Sequence, residues 1–336
     1  MKKSTVIKWA VGLYGVCTGI SAWRFFQYAA KRRHPKGWEE ERRQQKKSWE
    51  YDEAEPGSYL EMQQKKSLWI REQEIEHVSI LSFDGLKLSG IFFPAEGKTD
   101  RVVLVVHGYQ SEGLKDFSAL AAFYHEQGYH VLAVDDRAHG DSEGKYLGFG
   151  CLDREDCYRW VHYLDERFSG HCSIFLHGIS MGAATVLMTS SMNLPASVKG
   201  VIADCPYTSI WKEMLYLIKR EKKAWFVLYP MMKLGSKISK RVAGYEFDDC
   251  SAAEEVKDTK IPIFLIHGDD DRFVPMRMSQ EIYDNCASEK EIWIVPGAHH
   301  AESYHVAKEE YEKRVLRFMN LYDPHPLSTE DSEDGR

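Results

Sequence analysis

Ser173-Ile174-Phe175-Leu176-His177-Gly178-Ile179-Ser180-Met181-Gly182-Ala183-Ala184-Thr185 is the stretch on which the fold turns. A short apolar run of strand length ends at His177 and is followed by Gly-Ile-Ser-Met-Gly, then by small residues that open a helix. Glycines on either side of Ile179-Ser180-Met181 permit a turn too tight for residues bearing a Cβ. Strand, strained turn and helix in that order lift a serine above the edge of a sheet, as a nucleophile requires. The plain alternative, a surface serine between two glycines, does not account for the strand before it and the helix after it.

Working outward, the same alternation recurs. Val78–Phe83 and Lys87–Phe93, joined at Asp84-Gly85, read as a hairpin. Arg101–His107, His130–Asp135, Ser173–His177, Lys199–Asp204, Ile261–His267 and Glu291–Val295 are near-continuous apolar runs, as expected of parallel strands covered on both faces. Leu114–Gln127 and Glu302–Tyr322 carry helical apolar stripes, the first stopping at Gly128. The expected class is α/β, a mostly parallel central sheet flanked by helices.

A serine hydroxyl is a weak nucleophile at neutral pH, so Ser180 needs a base, and the base needs a carboxylate to orient it. Two strand ends downstream offer them in the order this architecture uses. Ile261–His267 runs into Gly268-Asp269-Asp270-Asp271-Arg272-Phe273-Val274-Pro275, and the last strand into Gly297-Ala298-His299-His300-Ala301-Glu302-Ser303-Tyr304. Spacing alone does not choose among Asp269, Asp270, Asp271 and the earlier Asp204, or between His299 and His300.

The segment from Arg101 to Tyr322 resembles the α/β-hydrolase superfamily, and most of all the membrane-anchored bacterial hydrolases of the serine-aminopeptidase-like group. The resemblance rests on His107-Gly108-Tyr109, Asp136-Arg137-Ala138-His139-Gly140-Asp141-Ser142, the turn at Ser180, Ala203-Asp204-Cys205-Pro206, Asp271…Val274-Pro275 and His300-Ala301-Glu302-Ser303-Tyr304. It implies the α/β-hydrolase fold with a helical cap insert. It also implies Asp271, four residues before the proline, as the acid and His300 as the base. The oxyanion hole would come from the N–H of Met181, just after the nucleophile, and that of Tyr109 in the loop after the first central strand. In that loop the family often has a second glycine, where this chain has Tyr109-Gln110. His107 and His139 fall in motifs that shape turns.

From about 206 to 258 the chain is too long for a simple crossover and reads as the cap. Trp211, Met214, Leu215, Leu217, Trp225, Phe226, Leu228, Tyr229, Met231 and Met232 either line an apolar acyl or alcohol pocket or form the cap's own core. Lys219, Arg220, Lys222, Lys223, Lys233, Lys237, Lys240 and Arg241 make it basic in a chain of formal net charge -7, which suits either an anionic lipid surface or a solvated helix face.

Residues 1–30 hold an apolar run, Trp9–Trp23, with tryptophans at both ends, read as a single membrane anchor with a cleaved signal peptide as the rival; the basic residues after the run favour a cytoplasmic catalytic domain, and the short basic start pulls the other way. Residues 31–76 read as a charged connector, 77–322 as the hydrolase domain and 323–336 as an acidic tail. An acidic chain argues against nucleic-acid binding. The seven cysteines are scattered without a C-x-x-C, which argues against a disulfide framework or zinc knuckle. The fourteen histidines show no H-E-x-x-H, so neither metal nor cofactor is expected. The expected activity is carboxylic-ester hydrolysis on small-molecule or lipid-like esters through an acyl-enzyme. A thioesterase, a peptidase and an idle membrane-anchored interaction protein are the rivals.

Overall fold

The structure is a computed structural model and describes residues 18–32, 69–70, 72–220 and 225–323. Among the described residues eight strands form one sheet: β1 (Glu76–Leu81), β2 (Lys87–Phe93), β3 (Arg101–Val106), β4 (His130–Val134), β5 (Ser173–Ile179), β6 (Val198–Asp204), β7 (Ile263–Gly268) and β8 (Lys290–Val295). Their spatial order is β1-β2-β4-β3-β5-β6-β7-β8. The β1/β2 hairpin pairs antiparallel with β4, and β4 through β8 run parallel. Every strand expected from the sequence is present, with ends displaced by a residue or two.

Burial explains why these runs were legible. All residues of β3, β5 and β7 are buried, because helices cover both faces of the sheet. One face packs against Asp153–Arg167, Met181–Thr189 and the cap; the other packs against Gly113–Glu126 and Lys308–Tyr322. The sequence predicts one helix over Glu302–Tyr322, whereas Ser303–Val306 and Lys308–Tyr322 are separate, broken at Ala307 with φ -136° and ψ 49°. The break lets Ser303 turn inward to Asp204 before the long helix begins.

The insert contains helices Ile210–Arg220, Trp225–Ala243 and Ala252–Glu255. Of its aromatic and aliphatic residues, Met232 is fully buried, Trp211 and Trp225 pack on Tyr229, and Phe226 is 71% exposed. Trp211, Met214, Leu215, Trp225, Leu228 and Tyr229 are half-buried and pack against the main core.

The reading of the cysteines needs correction: Cys151 and Cys250 are joined by a disulfide. The two lie 99 residues apart, so no local spacing reveals the pair. Cys157, Cys172, Cys205 and Cys286 are free and buried, as expected of small apolar side chains. The disulfide joins other contacts on the segment 145–151. The Tyr207 hydroxyl donates to the Phe149 carbonyl (2.8 Å), and the Tyr245 hydroxyl to that of Leu147 (2.7 Å).

The same segment receives the start of the described chain. Residues 18–30 are helical, with Ala22, Phe26, Ala29 and Ala30 buried against the protein body. The Leu147 N–H donates to the Ala30 carbonyl (2.8 Å), and Phe26 packs on Tyr146. Among the described residues, no helix is long and apolar enough to cross a membrane. Residues 1–17 of the expected anchor, most of the connector and all but Asp323 of the tail lie outside the described residues.

Candidate active site

The site begins with strand order. β3 and β5 are neighbours, Val106 opposite Gly178, so the loops leaving their carboxyl ends meet at the crevice where open α/β sheets collect their ligands. Ser180 sits between β5 and the helix Met181–Thr189 at φ 56° and ψ -112°, a backbone state strained for any residue with a Cβ. The turn closes only because its flanks are glycine. A methyl group on Gly182 would strike the Val106 carbonyl, and one on Gly178 would strike the carbonyl of Gly182.

His300 and Asp271 arrive from the ends of β8 and β7. Ser180 Oγ lies 2.9 Å from His300 Nε2, and His300 Nδ1 lies 2.7 Å from Asp271 Oδ2. Asp271 Oδ1 accepts the N–H groups of Phe273 and Val274, both at 2.9 Å. Burial opposes its ionisation, yet hydrogen bonds from His267 and His300 hold its carboxyl well below the usual range. His267 stands behind the carboxylate, with Nε2 3.2 Å from Asp271 Oδ2 and Nδ1 2.6 Å from Ser279 Oγ.

The neighbouring candidates have other partners. Asp269 accepts the Gly297 N–H at 2.7 Å, joining the two loops. Asp270 pairs with Arg272 and with His299, whose side chain is 57% exposed. Asp204 is buried and accepts from the Ser303 and Tyr311 hydroxyls, both at 3.1 Å; burial pushes its carboxyl up to about 6. None of the three touches His300 with its carboxylate.

The N–H of Met181 starts a helix, so it has no carbonyl four residues back in that helix. Gly108 closes the other side: a Cβ built there stands 3.5 Å from Ser180 Cβ. Tyr109 and Gln110 follow, Gln110 at φ 56° with its N–H on His139 Nε2 (3.2 Å). His107 and His139 hydrogen-bond to backbone groups of these loops, and burial holds the His139 ring well below its ordinary value.

Cys205, Asp271 and His300 place one donor atom each within 4.8 Å of one another. Burial, and then the charges of Asp204 and Asp271, push the Cys205 thiol well up. In this arrangement His300 is already bonded to Ser180 and to Asp271.

One residue escaped the sequence reading. Glu213, on the first cap helix, is only 3% exposed, and both its carboxylate oxygens lack a hydrogen-bond partner among the described residues. Burial, and then the charge of Asp271, push it up to about 8, against the pull of Arg220 and Arg277. The signal was available: Glu213 stands between Ile210 and Leu217 on the helix's apolar stripe. The unfolded chain releases this proton near pH 4.5 and the folded chain keeps it to about pH 8, so its ionisation destabilises the fold increasingly across that window. Glu213→Gln is expected to leave stability unchanged at pH 4 and to raise it at pH 8 by on the order of 3 kcal/mol. Denaturant midpoints measured against pH check this; equal effects at both ends would refute it.

A family model described as serine aminopeptidase, S33, matches residues 97–245 and 249–302. The uncharacterized protein YqkD of Bacillus subtilis (strain 168) is 26% identical over 222 residues, 66% of this chain and 72% of YqkD. The lysophosphatidylserine lipase ABHD12 of Gallus gallus is 25% identical over 216 residues, 59% of this chain, which spans about half (51%) of that relative. Among solved structures, the Pyrococcus furiosus esterase Pf2001 superposes with a TM-score of 0.62 at 28% identity, covering 74% of this chain and 92% of the esterase.

Proposed function

Because the chain belongs to the serine aminopeptidase S33 family of α/β hydrolases, we propose that it hydrolyses carboxylic esters through an acyl-enzyme on Ser180. The observation that carries this reading is the continuous line of hydrogen bonds from Ser180 Oγ through His300 to Asp271. In this mechanism His300 Nε2 takes the Ser180 proton as Oγ attacks the ester carbonyl. Asp271 keeps the Nδ1–H tautomer and stabilises the imidazolium. The N–H groups of Met181 and Tyr109 meet the charge that develops on the carbonyl oxygen. His300 then protonates the leaving alcohol, and water, deprotonated by the same nitrogen, releases the acid.

An esterase and a lysophosphatidylserine lipase among the relatives favour a small-molecule or lipid ester as substrate. A panel of esters, thioesters and amides of graded acyl length tests this. Ester turnover above the others is the expected result, and faster cleavage of peptides with a free amino terminus would replace the reading with a peptidase.

The surface favours work at a lipid interface. Ile20 and Trp23 on the first helix and Phe226, Val227 and Leu234 on the cap are exposed, and Phe25 and Ala22 join the two helices at Gly235. Lys237 and Lys240 are paired with Glu246 and Asp249, so the exposed apolar side chains are the part of this surface to test first. Full-length protein is expected to sediment with vesicles of mixed zwitterionic and anionic lipid. Trp23→Ser with Phe226→Ser is expected to weaken that binding about tenfold or more; unchanged sedimentation would remove these residues from the interface.

A further inference from the structure

The loop that follows β3 holds a residue in a backbone state that favours glycine. Gln110 occupies a positive φ of 56°, where glycine rests without strain and a residue with a Cβ does not. Something must hold it there. Its N–H bonds to His139, and its side-chain Nε2 donates to the Tyr109 hydroxyl at 2.8 Å. The Tyr109 hydroxyl in turn donates to the carbonyl of Ala29 at 2.8 Å, while its ring stacks on Phe149 at 5.5 Å.

Ala29 is far from the hydrolase core in sequence but fixed in space. Phe26, Ala29 and Ala30 belong to the main core cluster. The Arg32 N–H donates to the Lys145 carbonyl (3.0 Å), and its guanidinium donates to the carbonyls of Gly140 (2.6 Å) and Ser142. Ala29 lies near the carboxyl end of its helix, where carbonyls lack helical partners. Its oxygen is therefore an acceptor presented to the loop by a rigid support.

We propose that residues 18–32 complete the active site: the Ala29 carbonyl holds Tyr109, Tyr109 holds Gln110 in its strained state, and the 108–110 backbone is thereby set to receive the oxyanion. Ala29 and the Tyr109 hydroxyl are positioning groups that touch no substrate. The inference rests on the ester-hydrolase reading and extends it to a part of the chain outside the family match, which begins at residue 97.

A double-mutant cycle on the full chain tests it. Tyr109→Phe keeps the ring against Phe149 and removes only the hydroxyl. It is expected to lower kcat about 10- to 100-fold with KM changed less than about threefold, because the oxyanion site meets only the transition state. Gln110→Gly removes the need for support, so Tyr109→Phe in the glycine background is expected to cost less than about threefold. Hydrogen exchange of peptides spanning 107–112 reads the same loop without any turnover: Tyr109→Phe is expected to lose protection, and the glycine double variant to lose no more than Gln110→Gly alone. Full activity and unchanged exchange in Tyr109→Phe would overturn the proposal, as would an equal loss in both backgrounds, which would mean that the hydroxyl acts on substrate directly. If wild type fails to react with a fluorophosphonate, the hydrolase reading falls, whereas unchanged loop exchange tells against the support by Ala29 by itself.

Discussion

Ser180→Ala is expected to lower ester turnover by on the order of 10⁴- to 10⁶-fold and to abolish fluorophosphonate labelling, while the thermal transition stays near that of the wild type. The hydroxyl supplies the covalent route, and what remains in its absence is binding and oxyanion stabilisation of direct attack by water. Little folding energy is at stake, since alanine keeps the Cβ and the backbone bonds of Ser180 N to the Asp204 carbonyl and of Ala184 N to the Ser180 carbonyl are untouched. Labelling of the alanine variant at wild-type rates would place the nucleophile elsewhere.

The second large effect separates neighbouring aspartates. Asp271→Asn is expected to lower kcat by on the order of 10⁴-fold, because an amide nitrogen facing His300 Nδ1 favours the tautomer that cannot accept the serine proton. Asp270→Asn is expected to change kcat less than about threefold, since its carboxylate binds Arg272 and the exposed His299 at the rim. Asp204→Asn is expected to act on stability, through the Ser303 and Tyr311 hydroxyls that hold it. Steady-state kinetics with denaturation midpoints on all three distinguish the roles, and equal kinetic losses at Asp270 and Asp271 would refute the assignment.

These contrasts mark where the sequence was legible. The central strands β3, β5 and β7 could be read because a parallel strand covered on both faces is apolar almost throughout, and the turn at Ser180 because its steric demand leaves glycine on both sides. The three aspartates could not be ranked by spacing: each side chain leaves the β7–Arg277 loop in a different direction, to Gly297, to Arg272 and to His300. The first helix was read for its hydropathy, which suits a membrane. Its buried positions 22, 26, 29 and 30 also follow helical spacing, and that pattern equally describes a helix laid on a protein surface. Glu213 was passed over as one more charge on a cap helix, although its place on the apolar stripe between Ile210 and Leu217 marks it as facing inward. The Cys151–Cys250 bond joins segments that only the finished fold brings together.

That bond has a mechanical side. With Tyr207, Tyr245, Cys250 and Ala30 all fastened to residues 145–151, the cap is no trapdoor swinging on two loose chain crossings. It is a roof riveted along one eave, and the same beam bears the amino-terminal helix. A tilt applied to that helix reaches the roof and the Tyr109 loop as one load. A reductant that severs the rivet would loosen the eave and leave the beam in place.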